Sequence, residues 1–315
     1  MRDFDVLICG TCVADVLVRP VGLSTPIGGG RLFHADPIEV ATGGIVCNTG
    51  TAMRRLGMRV AASSLVGADP WGAMIRERLT AEGIDVSAVE THPALATSTT
   101  AVLIDADGER SFAHHVGAPA AIDVGFLRRQ AAHFRRCRLA VLGYYGLLPG
   151  LEHDIAAAVE AVAAAGCRVA LETAGSGGAL GPLAAALPRV DCYVPSLAEA
   201  THQTGLEDPR RIVARYRECG AAGLVGVKLG TRGTLLSPTA GEFVEIPCLP
   251  APGPVADTTG AGDSFLAGLL TGILSDMDVA SAGRLGAATA ACCVTGVGAT
   301  AGLRSFAETL ALARG

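Results

Sequence analysis

The feature that most constrains this chain is a repeated alternation between short, almost wholly apolar runs and longer segments of helical period. Candidate strands are 5–9, 60–66, 139–142, 168–171, 191–194 and 224–228, and candidate helices between them are 48–56, 71–82, 151–165 and 209–219. A strand that is apolar on both faces has to be covered on both faces. A mostly parallel sheet flanked by its crossover helices meets that condition. The expected fold class is therefore α/β, with a three-layer α/β/α core. At 315 residues, half of them apolar and 17% charged, the chain is long enough to bury such a core as one domain spanning 1–315.

Two regions break the rhythm. Residues 13–40 are rich in Gly and Pro. Residues 97–116 read as a hairpin, with a run at 100–104, the turn Asp105-Ala-Asp-Gly108 and a second run at 109–114. Both are expected to form a small β-layer beside the main sheet, placed to act as a lid over a ligand cleft.

The net charge of -5 and a pI near 5.8 argue against a nucleic-acid partner, which calls for a basic face. No apolar stretch spans a bilayer, so no membrane partner is expected. Residues 1–10 lack a cationic start followed by an apolar run, so no signal peptide is expected. The ten cysteines include a lone C-x-x-C at Cys9 and Cys12, with no second pair at zinc-site spacing. Small buried thiols in a reducing cytoplasm account for them.

The chemistry concentrates near the C-terminus, in Asp257-Thr-Thr-Gly-Ala-Gly-Asp263-Ser-Phe-Leu-Ala-Gly. Gly260 and Gly262 allow a tight turn into a helix, and the N–H groups of Gly260, Ala261 and Gly262 at that helix start suit a phosphate-like anion. Asp263, in the first turn, is placed to accept a proton from an attacking hydroxyl. A Gly-x-Gly before a helix is also an ordinary turn, and its carboxylate an ordinary helix-start charge. The longer string is more specific.

The segment 257–268 resembles the second signature of the ribokinase-like (PfkB) carbohydrate kinase family, and Gly43-Gly44-Ile-Val-Cys-Asn48 resembles the first. Their order, their separation and the alternation between them are similar to that family over nearly the whole chain. The resemblance implies a ribokinase-like core with a small β lid. It also implies ATP and Mg²⁺ as cofactors and Asp263 as the base, with the N–H groups of residues 260–262 on the transferring phosphoryl group. A monovalent-cation site, for K⁺, is implied near Asp257 and Thr259.

The stretch Leu224 to Leu236 reads as strand, glycine turn and strand, with Gly230 and Gly233 in the turn. Family members set a similar turn against the nucleotide phosphates. Lys228 is the chain's single lysine, placed either for phosphate contact or as a solvated surface cation. No G-x-x-x-x-G-K-[ST] string exists, which sets aside the P-loop kinases. Pro195-Ser196-Leu-Ala-Glu199 resembles the family's Asn-x-x-Glu motif with Ser196 in the Asn position, and implies Glu199 as the organiser of hydrated Mg²⁺. Glu172 stands where many relatives carry Asp. The helix 287–297 is the counterpart of one bordering the adenine.

On the substrate side, relatives use an Asp at the position of Asp15 to accept hydrogen bonds from sugar hydroxyls. Gly43 and Gly44 allow close approach of a ligand to the backbone, and Asn48 adds an amide. Arg110, on the lid, either reaches the substrate or pairs with Glu109. Tyr144 and Tyr145 follow the strand 139–142 at the end where α/β sites open, one expected to meet substrate and the other to pack. His114 and His115 point to opposite faces of a strand and are read as hairpin polarity.

The expected function is transfer of the ATP γ-phosphoryl group to a hydroxyl of a small carbohydrate, by a cytoplasmic homodimer. A nucleoside kinase of the same fold and a non-catalytic sugar-binding member are the alternatives. Aromatic residues at only 4% weigh towards the sugar.

Overall fold

The computed structural model describes residues 2–24, 28–30 and 32–315. In chain order its strands are β1 (Phe4–Gly10), β2 (Val13–Val18), β3 (Glu39–Gly43), β4 (Val60–Gly67), β5 (Asp85–His92), β6 (Thr99–Ile104) and β7 (Arg110–His115). They continue with β8 (Cys137–Gly143), β9 (Arg168–Glu172), β10 (Cys192–Tyr193), β11 (Leu224–Lys228), β12 (Thr234–Ser237) and β13 (Val244–Ile246). All six apolar runs lie in one sheet of order β13-β12-β11-β10-β9-β8-β1-β4-β5. It is parallel from β11 to β5, with β12 and β13 antiparallel at one edge.

The double-sided burial that the apolar runs require is visible residue by residue. Leu7 and Cys9 of β1 enter one core with Phe126, Val159 and Ile212, from helices Val124–Arg129, Ile155–Ala163 and Pro209–Glu218. Val6 and Ile8 enter the other with Met53, Ile75, Leu269 and Ala282. That second layer is built from helices Gly44–Arg55, Pro70–Ala81, Ala261–Leu274 and Val279–Cys293. Helix starts follow local chemistry. The Asp69 and Asp208 side chains accept the N–H of Gly72 and Arg211, each with a proline in the first turn.

Some expected boundaries move. The helix expected over 151–165 is two, Pro149–Glu152 and Ile155–Ala163. The Asp154 N–H turns back to the Leu151 carbonyl three residues away, which tightens the chain and ends the first. The helix expected over 287–297 is Val279–Cys293, and residues 294–302 form turns beyond it. Among the cysteines, all are free, but Cys219 is half-buried and Cys248 exposed rather than buried. Among the described residues no helix is long and apolar enough to cross a membrane.

A second sheet of order β3-β2-β6-β7 is drawn from the regions 13–40 and 97–116; residues 25–27 and 31 lie outside the described residues. β2 pairs parallel with β6, and β3 and β7 pair antiparallel outside them. The Asp105 carboxylate accepts the N–H groups of Asp107 and Glu109 and so closes the β6–β7 turn. β1 ends at Gly10 and β2 begins at Val13, so this sheet grows from the carboxyl end of β1. β8 to β11 end at the same edge, and the order reverses at β1, between β4 and β8. A parallel sheet opens its crevice at such a point.

Candidate active site

Asp263 sits in the first turn of the helix Ala261–Leu274 and is only 5% exposed. The turn into that helix needs a glycine at 260, where φ is +76° and a Cβ would run into Ala299. The Asp263 carboxylate accepts the amide of Asn48 at 2.8 Å and the hydroxyl of Tyr144 at 2.7 and 2.9 Å. Burial pushes its pKa above 3.8, while Asn48, Tyr144 and the Lys228 ammonium favour the charged form. A buried carboxylate with organised donors and a raised pKa is suited to receiving a proton.

Tyr144 meets the Asp263 carboxylate with its hydroxyl. It follows β8 in a left-handed backbone conformation, φ +58°, which is strained for a bulky residue. Tyr145, at 1% exposure, packs in the core as expected of one of the pair.

Two clefts flank this carboxylate. The first, about 380 Å³, lies beneath the second sheet and contains Asp15, Gly43, Gly44, Asn48, Arg110 and Tyr144. Asp15 packs against Gly43, where a Cβ would strike its carboxylate oxygen, and at Gly44, φ +81°, a Cβ would stand only 2.6 Å from the Thr11 carbonyl oxygen. Burial raises the Asp15 pKa, opposed by the Thr100 hydroxyl. Thr100 Oγ1 and His114 Nδ1 share a hydrogen bond of 3.0 Å, so His114 belongs to the cleft and not merely to the hairpin's polarity. The side-chain oxygens of Asn48 and Thr11 are buried without a hydrogen-bond partner, which leaves two acceptors open to a ligand.

Arg110 lines the first cleft but does not pair with Glu109. Its guanidinium bridges to Asp257 Oδ2 at 2.7 Å and donates to Thr259 Oγ1. The Thr259 and Gly298 N–H groups complete the shell of Asp257 at 2.8 Å each. Burial alone would raise the Asp257 pKa, but these donors hold it down to about 2. A cation approaching Oδ2 has to displace Arg110.

The second cleft, about 410 Å³, contains Lys228, Gly230, Gly233, Gly262 and Phe265, with Ala287 from the helix Val279–Cys293. Lys228 is not a solvated surface lysine. Its ammonium contacts Glu172 Oε1 at 2.6 Å and lies 3.5 Å from where a Cβ of Gly262 would stand. Burial works against the ammonium, yet Glu172 holds its pKa above 10.5. Burial in turn pushes Glu172 up to about 7. Glu172 Oε2 is buried with no partner. Of the expected anion-binding N–H groups, that of Ala261 is turned towards the Thr258 carbonyl at 3.3 Å. Ser196 and Glu199 form a reciprocal cap at a helix start, with Glu199 Oε2 accepting both the Ser196 N–H and hydroxyl at 2.7 Å. Among the described residues no group of three His, Cys, Asp or Glu side chains forms a metal cage.

Sequence reasoning missed three partners: Glu172 for Lys228, Arg110 for Asp257, and Thr100 with His114 beside Asp15. The alternation of β6 and β7 carried a signal for the last, because Thr100, Val102 and Ile104 share one face with Arg110, Phe112 and His114.

Residues 5–305 match the description "pfkB family carbohydrate kinase". The 1-phosphofructokinase of Rhodobacter capsulatus is 32% identical over 276 residues, covering 81% of this chain and 82% of its own. The Arabidopsis thaliana ribokinase complexed with ribose and ATP superposes with a TM-score of 0.86 at 23% identity, covering 99% of both chains. An E. coli protein of the ribokinase II type, in complex with ATP and Mg²⁺, gives 0.82 at 21% identity, again over 99% of both. At those identities the two structures speak for the fold.

Proposed function

The chain belongs to the pfkB family of carbohydrate kinases, and from that premise we propose that it transfers the γ-phosphoryl group of ATP to a hydroxyl of a sugar moiety, with Asp263 as the base. The observation that carries this reading is the Asp263 carboxylate, buried at a helix start, whose donors Asn48 and Tyr144 line one cleft and whose chain neighbours Ala261 and Gly262 line the other. One cleft is lined by hydroxyl acceptors and the other by a cation and glycine turns.

The sugar lies in the first cleft, where Asp15 and the free oxygens of Asn48 and Thr11 accept its hydroxyls, and Gly43 and Gly44 admit it close to the backbone. The reacting hydroxyl gives its proton to Asp263. Its oxygen bonds to the γ-phosphorus as the bond to the bridging oxygen breaks and ADP leaves. Asn48 and Tyr144 hold the carboxylate in place through the transfer. ATP lies in the second cleft, with Gly230 and Gly233 in the turn under its phosphates. Lys228 and the dipole of the helix Ala261–Leu274 face the charge that develops.

The residues beside this cleft also fit a hydrated divalent ion. Glu172 Oε2 is a buried oxygen without a partner, and Glu199 is buried within its electrostatic reach. Such an ion is held through one or two carboxylates and the substrate phosphates rather than by a protein cage. Mg²⁺ bound there supplies charge neutralisation at the β- and γ-phosphates.

The test is ADP release by the purified protein with ATP and Mg²⁺ over a panel of pentoses, hexoses, sugar acids and nucleosides, with the phosphate ester identified by mass. Acceptor-dependent ADP release with one ester formed is expected. Release that ignores every acceptor would sink the proposal.

A further inference from the structure

The inner face of the second sheet is banded across its strands. Asp15 of β2 stands beside Thr100 of β6, and Thr100 beside His114 of β7, which makes one row polar and hydrogen-bonded. Two residues further along each strand, about 6.6 Å on, Leu17 stands beside Val102 and Val102 beside Phe112. All six side chains line the first cleft, so a polar band is followed by a wholly apolar one.

The rest of the lining is likewise part polar and part apolar. Asn48 and Tyr144 lie at the catalytic end, while Leu147 and Val297 offer apolar groups. Phe112 is 64% exposed, Val297 44% and Leu147 43%, while Val102 is buried behind them, so the Phe112 end of this apolar band is open to a ligand. The Arg110 guanidinium that lines the cleft is already engaged with Asp257 and Thr259, and the His114 ring with Thr100.

We propose that the acceptor is a sugar bearing a flat or apolar substituent, of the nucleoside or aryl-glycoside class, with its sugar ring on the Asp15–Thr100–His114 row and its substituent on the Leu17–Val102–Phe112 row. This rests on the kinase reading of the same site. A free hexose reaching the second row would bury hydroxyls against three apolar side chains that offer no partner. A planar substituent there covers Phe112 and is covered in turn by Leu147 and Val297. Among the described residues that line the cleft, the one guanidinium that a sugar phosphate or sugar acid would meet is neutralised by Asp257. The low aromatic content pointed towards a plain sugar, but one aromatic side chain at the right register, backed by aliphatic ones, is enough to build a wall.

The experiment compares ribose, fructose, fructose 6-phosphate, adenosine, uridine and 4-nitrophenyl β-ribofuranoside as acceptors, by ADP release and by calorimetric titration of the full chain. At least one substituted ribofuranoside is expected to exceed ribose and fructose by tenfold or more in kcat/KM. Phe112→Ser and Val102→Thr should each narrow that ratio at least fivefold. If a free sugar or the sugar phosphate is turned over as well or better, the kinase reading stands and this inference is overturned. If nothing is turned over, the kinase reading fails and titration still decides: tenfold tighter binding of a substituted furanoside than of ribose upholds the inference. Equal or absent binding overturns it.

Discussion

At the scale of single residues, Asp263 was legible as a chemical group but not as an environment. Its spacing from Gly260 and Gly262 is local sequence. Its two donors come from 215 and 119 residues away, and no local pattern announces a contact of that range. Replacing Asp263 with Asn removes the proton acceptor and keeps the shape. Turnover should fall by about 100- to 10,000-fold while ATP affinity, read by titration, stays within a few-fold; near-normal turnover would remove Asp263 from the base role. Tyr144 gives a subtler handle. Its hydroxyl favours the charged carboxylate, so Tyr144→Phe should let the Asp263 pKa, already raised by burial, rise further. The base works only when ionised. The acid limb of the kcat/KM profile should therefore move to higher pH in the variant, and an unmoved limb would show that Tyr144 only packs.

At the scale of elements, the strands of the main sheet were readable because burial on both faces writes an unbroken apolar run into each one. The helices were readable in type and misjudged in extent, since an Ala-rich stretch such as 279–293 carries little amphipathic contrast to mark its start. The pairing between elements was unreadable. Lys228 at the end of β11 meets Glu172 at the end of β9 only because β10 lies between them with both neighbours parallel. Lys228→Met leaves a buried carboxylate without its counter-charge and should destabilise the fold by about 3–5 kcal/mol in urea unfolding. Adding Glu172→Leu should recover most of the loss. The deficit should also depend on pH. Glu172 has a folded pKa near 7 against an ordinary 4.5, and losing Lys228 raises the folded value further. A group raised on folding contributes its full stability below its unfolded pKa and loses it as pH climbs through the folded one. The Lys228→Met deficit should thus shrink as pH is lowered from neutrality towards 4.5, and a deficit that grows on acidification would contradict the pairing.

At the scale of the whole molecule, the two sheets touch the same short stretch of chain. Arg110 ties β7 to Asp257 and Thr259, just ahead of the helix that carries Asp263, and Gly298 holds Asp257 from the far side. The hairpin and the helix start are therefore one mechanical unit across the mouth of the first cleft. Arg110→Ala should loosen the hairpin, seen as faster amide hydrogen exchange over residues 99–115 with the main sheet unaffected. Exchange unchanged there would mean that the ion pair bears no part of the closure. Neither the tie nor its consequence could be read from the chain, because its ends are 147 residues apart and each has nearer charges to choose from.

One plain peculiarity of the chain acquires a use at this scale. It has a single lysine, and the fold shuts that lysine against Glu172 at the floor of the second cleft. Reagents that seek primary amines have one ε-amino group to find besides the terminal α-amine, so an acyl group located at Lys228 by peptide mapping is a spectator of one place in the molecule. The label count at Lys228 then records how often that floor is open, with no background from lysines elsewhere. A chain that carries its basic charge almost entirely as arginine has, in effect, reserved its ε-amino chemistry for a single address.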